Sequence, residues 1–144
     1  MEITEKLEVL KKLDTKPLID QLYEYEHELH EALNEEARYK NENYQYLSSG
    51  RSDCQEVQNK LAELRFTAPD FNQEGKKATV AEKDAWLIQQ RTANKELNEA
   101  LEKQQQVAFQ VENNGIESEM AKRRLTNVIA VLALKTAQIN FLGS

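Results

Sequence analysis

Apolar residues recur at helical spacing along most of this chain, and the interruptions of that rhythm divide it into segments. Ile3, Leu7, Leu10 and Leu13 stand four, three and three residues apart, which predicts a short first helix over 3–13 with one apolar face. Asp14 and Thr15 then precede Pro17, whose fixed φ suits a first helical turn, so a second helix is expected to start at 16. In it Leu18, Leu22, Tyr25, Leu29, Ala32, Glu36, Tyr39, Asn43 and Tyr46 follow an alternating four-three repeat, the seam pattern of a coiled coil. Glu36 and Asn43 weaken that seam, because burial without a partner costs free energy, and this stretch is expected to stay open to water or loosely held. Ser48, Ser49 and Gly50 mark a candidate break at 48–52 inside an arm that runs from 16 to 66. Beyond it Cys54, Val57, Leu61, Leu64 and Ala68 resume the stripe with a shift of phase.

Residues 67–78 carry Pro69, Asp70, Asn72 and Gly75 and form the clearest loop, at which the chain should turn back. Thr79-Val80-Ala81-Glu82 matches a capping box and opens a second arm over 79–142. Its stripe runs Trp86, Gln90, Ala93, Leu97, Ala100 with Leu101, Gln104, Val107 with Ala108, and Val111. Asn113-Asn114-Gly115 marks a candidate break at 113–116, either a left-handed stop or a soft spot in a continuing helix. Twelve of the eighteen residues from Leu125 to Leu142 are apolar, more than one helix face can hold. The longest unbroken apolar run there is the seven residues Val128 to Leu134, short of the roughly 20 that a bilayer requires, so the segment reads as a buried helix and no membrane partner is expected. The first helix, the Leu18 to Leu33 segment and a second copy of the chain are the candidates to cover it.

Composition agrees with an all-α class, since two prolines and four glycines in 144 residues are too few for a sandwich or barrel. That length suits one domain, 1–144. A formal net charge of -6 disfavours non-specific binding to nucleic acid or an anionic membrane. The charge is unevenly laid out. Asp20 to Glu36 holds seven acids and no Lys or Arg, whereas 120–144 holds Lys122, Arg123, Arg124 and Lys135 and no acid. A fold-back at 67–78 would set these complementary segments side by side; the alternative is two solvated faces that never meet. Cys54 stands alone, which excludes an intrachain disulfide and points to a reducing compartment. The charged start MEITEKLEVLKKLD cannot be the apolar core of a secretory signal, and a cytoplasmic location in a bacterial cell is expected.

Few residues are equipped for chemistry. His27 and His30 lie in Glu24-Tyr25-Glu26-His27-Glu28-Leu29-His30-Glu31, with one Glu-x-x-His pair where a di-iron bundle needs two. The zinc-protease pattern spaces its histidines four apart, and here they are three apart. A hydrated acidic face therefore outweighs a metal-carboxylate site at Glu24, His27 and Glu31. Cys54 reads as a small apolar stripe residue, and the glycines at 50, 75, 115 and 143 form no phosphate-binding loop. No catalytic residue, cofactor or metal is expected. Candidate phosphate contacts are Lys76 and Lys77 in the loop and Lys122, Arg123 and Arg124 at the head of the last helix.

The stretch Gly75 to Ile139, through GKKATVAEKDAW with its capped start Thr79-Val80-Ala81-Glu82 and through Leu125-Thr126-Asn127-Val128-Ile129, resembles a group of small helical proteins encoded by bacteriophages and prophages near recombination genes. The resemblance covers less than half of the chain and implies a phage-type origin and an accessory role in DNA metabolism, with no catalytic residues to carry over. The sequence thus leads to an all-α protein, an extended antiparallel helical hairpin or coiled-coil-like bundle with a short N-terminal helix, expected to form a homo-oligomer. Its expected function is non-catalytic interaction with another protein, through Leu125, Val128, Ile129, Leu132 and Ile139. The alternative is a single-stranded-DNA-binding accessory protein of phage recombination or replication.

Overall fold

The computed structural model describes residues 2–12, 14–49 and 52–143; of Leu10, Lys11 and Lys12 it describes the backbone alone. The fold is all-α. Five α-helices are described: α1 (Ile3–Lys12), α2 (Lys16–Glu42), α3 (Gln55–Arg65), α4 (Val80–Ala93) and α5 (Lys95–Gly143), with a 3₁₀ turn at Tyr44–Tyr46. Among the described residues the only β-pairing is the isolated bridge between Phe71 and Lys77. The chain divides into two compact units, Met1–Ala37 with Asn113–Ser144, and Arg38–Glu112. Both α2 and α5 contribute to each unit.

In the first unit, α2 and the second half of α5 run antiparallel. Ser118 Oγ donates to Glu36 Oε2 at 3.0 Å, and Arg124 Nη1 faces Glu28 Oε2 at 3.5 Å, so numbers that rise on one helix fall on the other. The repeat on α2 is the reason for this pairing. Leu18, Leu22, Tyr25, Leu29, Ala32 and Glu36 are half-buried, and of the residues between them Glu28 alone is not exposed. Opposite them Asn114, Ser118, Ala121 and Val128 are buried and Leu125, Leu132 and Ile139 half-buried, a four-three stripe on α5. The acidic and basic segments do meet, at Arg124 and Glu28, in a pair worth about 0–1 kcal/mol at such exposure. Glu36, expected to be open to water or loosely held, is half-buried and takes the Ser118 hydroxyl as a partner.

Helix α1 departs from the expected face. Ile3 and Leu7 are exposed, and it is Val9 that is half-buried, lining a groove with Ala137, Gln138, Phe141 and Leu142. The Leu10 side chain and Leu13, which complete the expected face, lie outside the described residues.

The second unit has the denser core. Cys54, Val57, Leu97 and Ala100 form a buried cluster, with Tyr46, Leu61, Leu64 and Leu101 packed against it. Helix α3 runs antiparallel to the start of α5: the Cys54 amide donates to Gln104 Oε1 at 2.6 Å, and Lys60 Nζ stands 3.6 Å from Glu96 Oε2. Asp53 holds α4 in place by accepting from Arg91 Nη2 at 2.9 Å and from Gln104 Nε2 at 3.3 Å. The turn at 67–78 is real and well built. Asn72 Oδ1 accepts the amides of Glu74 and Lys76, and Gly75 takes the positive φ of 77° that a side chain would strain. The capping box also forms, with the Glu82 amide donating to Thr79 Oγ1 at 3.2 Å and the Thr79 amide to Glu82 Oε1 at 3.4 Å.

The helix ends correct the two-arm picture. The first arm breaks earlier and more widely than 48–52: α2 stops at Glu42, because Asn43 leaves helical geometry and its Nδ2 donates back to the Tyr39 carbonyl at 3.0 Å. Gly50 and Arg51 of the expected break lie outside the described residues. In the second arm the break falls at Asn94, not at 113–116. Asn94 has extended backbone, and its Oδ1 accepts the Leu97 amide at 3.0 Å, which caps the start of α5. Helix α5 continues through Gly115, since one helical glycine costs only about 1 kcal/mol and Asn114 and Ser118 beside it are buried. A Cβ on Gly115 would meet nothing within 4 Å, and its φ is not positive. Gly115→Ala is therefore expected to stabilise the protein by about 0.5–1 kcal/mol, read as a higher urea midpoint at unchanged slope. An unchanged or lowered midpoint would contradict the open space beside Gly115.

Candidate interaction surface

The second half of α5 is apolar on two sides. The side toward α2 holds the buried and half-buried residues just described. On the other side Ile116, Met120, Val131 and Leu134 are exposed, as is Phe141, which also lines the groove with Val9 of α1. Their separations of 4, 11, 3 and 7 residues are each close to a whole number of 3.6-residue turns, so they form one stripe. Leu134 lies nine residues from the inward Leu125, two and a half turns away, which sets the stripe opposite the covered face. Arg123 and Asn127 share its angular position, with Arg123 Nε held 3.6 Å from Glu119 Oε1 of the same helix. From Leu125 onward the stripe carries no charge; Lys135, the one ionisable group there, is half-buried off its axis.

The residues expected to form the interaction surface separate accordingly. Val128 is buried and Leu125, Leu132 and Ile139 are half-buried, all on the α2 side, so the chain covers these four itself. Ile129 alone is exposed, on the flank between the two faces. The segment is not the buried helix expected from its composition either. By length and composition alone α5 could cross a membrane, and only 6% of its most apolar eighteen-residue window is buried. The reason is that α2 offers one narrow stripe with no fully buried residue, enough to cover one side of α5.

The candidate phosphate contacts are divided and compensated. Lys76 and Lys77 belong to the second unit and Lys122, Arg123 and Arg124 to the first. Lys76 Nζ stands 4.0 Å from Glu74 Oε2, Arg123 faces Glu119, and Arg124 faces Glu28. Around the hairpin, residues 69–84 place the acids Asp70, Glu74, Glu82 and Asp84 among the lysines Lys76, Lys77 and Lys83. Lys83 pairs with Asp70 at 3.6 Å. Three of the five thus stand beside a carboxylate, which limits the gain from counterion release there.

The groups able to do chemistry are placed without a site. His27 Nε2 lies 3.0 Å from Glu31 Oε1 on the exposed side of α2, and both side chains are more than two-thirds exposed. Among the described residues no three His, Cys, Asp or Glu side chains stand close enough to hold a metal ion. The Cys54 thiol is buried in the core cluster, where no solution substrate reaches it. A concavity of about 370 Å³ at the second unit's loop is lined by Phe71, Trp86, Glu82 and Lys83, of which Glu82 is held by the Thr79 cap and Lys83 by Asp70. Compared with known protein families, with curated proteins and with solved structures, the chain matches none.

Proposed function

We propose that this chain is a non-catalytic helical interaction protein that binds another protein chain through the outer stripe of α5. The observation that carries the reading is the exposure of Ile116, Met120, Val131 and Leu134 along one line of a helix whose opposite line is already packed. A soluble monomer rarely leaves so long an apolar line to water, because covering each such side chain is worth about 1.5–3 kcal/mol. The likeness of Gly75 to Ile139 to phage-encoded helical proteins makes an accessory role in phage DNA metabolism the setting we favour. Direct binding to single-stranded DNA finds less support, since Lys76, Arg123 and Arg124 each face a carboxylate. A photo-crosslinking residue introduced at position 134 and expressed in the source cell is expected to yield protein adducts, with few from the same residue at the exposed Gln105. Equal adducts from both positions, or adducts to nucleic acid alone, would sink the reading.

A further inference from the structure

We propose that the second unit carries a separate binding groove, between the 67–78 turn and α4, for an uncharged proline-rich peptide in the polyproline II conformation. The groove encloses about 370 Å³ and has Phe71 and Trp86 in its lining. Phe71 is 65% exposed, so the chain leaves most of its ring uncovered, and Trp86 is half-buried. Both walls are built without a ligand. The Asn72 amide donates to the Lys76 carbonyl at 2.8 Å and the Ala78 amide to the Asp70 carbonyl at 2.7 Å, which closes the turn, and the Thr79–Glu82 capping box fixes the start of α4. A ligand therefore meets rings already in place and loses little affinity to ordering them.

Charge and hydrogen bonding define the occupant. In the lining only Glu82 and Lys83 are charged, one of each sign, and each is already engaged, by Thr79 and by Asp70. A lining without net charge suits a ligand without net charge. The acceptors are largely taken up: Asn72 Oδ1 accepts the Glu74 and Lys76 amides, and Glu82 Oε1 accepts the Thr79 amide and hydroxyl. Among the described residues no hydrogen bond of the chain uses Asn72 Nδ2, Trp86 Nε1 or the side-chain amides of Gln73 and Gln89, so donors are left beside two aromatic rings. A proline segment is the complement of such a lining, since it offers carbonyl oxygens and apolar rings, has no N–H at its prolines and is extended before it binds. The length fits as well. Glu82 to Gln89 covers about 10 Å of α4, close to one three-residue turn of polyproline II. Nucleobases could stack on the same rings, but the phosphates they bring would find Lys83 already set against Asp70 at 3.6 Å.

Trp86 is the single tryptophan of the chain, so its fluorescence reports this groove without an added probe. Titrating the full chain with acetylated and amidated decaproline is expected to move that emission to shorter wavelength and to saturate below about 1 mM, while a glycine-serine decamer leaves it unchanged. Phe71→Ala is expected to weaken binding about tenfold or more with the far-ultraviolet circular dichroism unchanged, because the ring is exposed. Asn72→Asp keeps the acceptor that builds the turn and removes only the donor, and Gln89→Glu alters an exposed position of α4; each should weaken binding about fivefold. The proposal is overturned by an emission that ignores decaproline up to 1 mM, by an equal response to the glycine-serine decamer, or by unchanged affinity in a folded Phe71→Ala. Unchanged affinity in both Asn72→Asp and Gln89→Glu overturns it too, and this pair decides the matter if Phe71→Ala does not fold. Tighter binding of oligothymidylate than of decaproline would assign the rings to nucleic acid instead. Crosslinks from position 134 bear on the α5 stripe alone, so the two readings fail separately.

Discussion

Leu97→Ala should lower the free energy of unfolding by about 3 kcal/mol, the largest single-residue loss expected in this chain. Leu97 is fully buried at the centre of the cluster with Cys54, Val57 and Ala100. Removing three carbons there costs their transfer free energy and leaves a cavity that α3 and α5 can only partly close, since the 2.6 Å hydrogen bond from the Cys54 amide to Gln104 Oε1 ties the start of α3 to α5. Against a total stability of about 5–15 kcal/mol for a domain, that loss is a large fraction. Urea unfolding followed by circular dichroism would show a lower midpoint. A loss under about 1 kcal/mol would mean that the core of this unit is centred elsewhere.

Gln104→Leu should come next, at about 1–3 kcal/mol. The amide side chain has two tasks: its oxygen accepts the Cys54 N–H, and its nitrogen donates to Asp53 Oδ1. Leucine keeps the bulk and fails at both. Asp53 still has Arg91 at 2.9 Å, so the main penalty falls on the Cys54 amide, which begins α3 with no side-chain cap of its own. Hydrogen exchange at Cys54 should accelerate with the loss of stability, and exchange that stays slow would show that another acceptor takes over. Gln104→Glu keeps the acceptor but turns a donor to Asp53 into a second negative charge, so it too should destabilise. Because Leu97 and Gln104 serve the same α3–α5 contact, their effects are not expected to add.

The sequence made the covered faces legible because they follow from spacing. On α2 every position of the four-three repeat through Glu36 is half-buried, and on α3 the stripe Cys54, Val57, Leu61, Leu64 and Ala68 is the inward one. The capping box and the 67–78 turn were equally readable, since each is a local hydrogen-bond pattern written in adjacent residues. Asn94 carried a readable signal as well, an N-cap residue three positions before Leu97, but the stripe around it ran on without a gap and masked the break. Gly115 left two readings open, because a glycine permits a helix to end without requiring it. The proposed interaction surface could not be read from composition. With twelve apolar residues in eighteen, either side of α5 qualifies, and only the side taken by α2 tells which one remains. The Asp53, Arg91 and Gln104 contacts join residues 38 and 51 positions apart, a relation that no local pattern encodes.

The single thiol of the chain sits sealed between α3 and α5, 1% exposed, which turns it into a clock. A thiol reagent in excess can reach Cys54 only in the moments when α3 lifts, so the rate of its labelling counts those openings without any engineered probe. The residues of the outer stripe all belong to the other unit. Labelling with and without a bound partner would thus time how far an event on one face of a long helix is felt at the other end of its sequence.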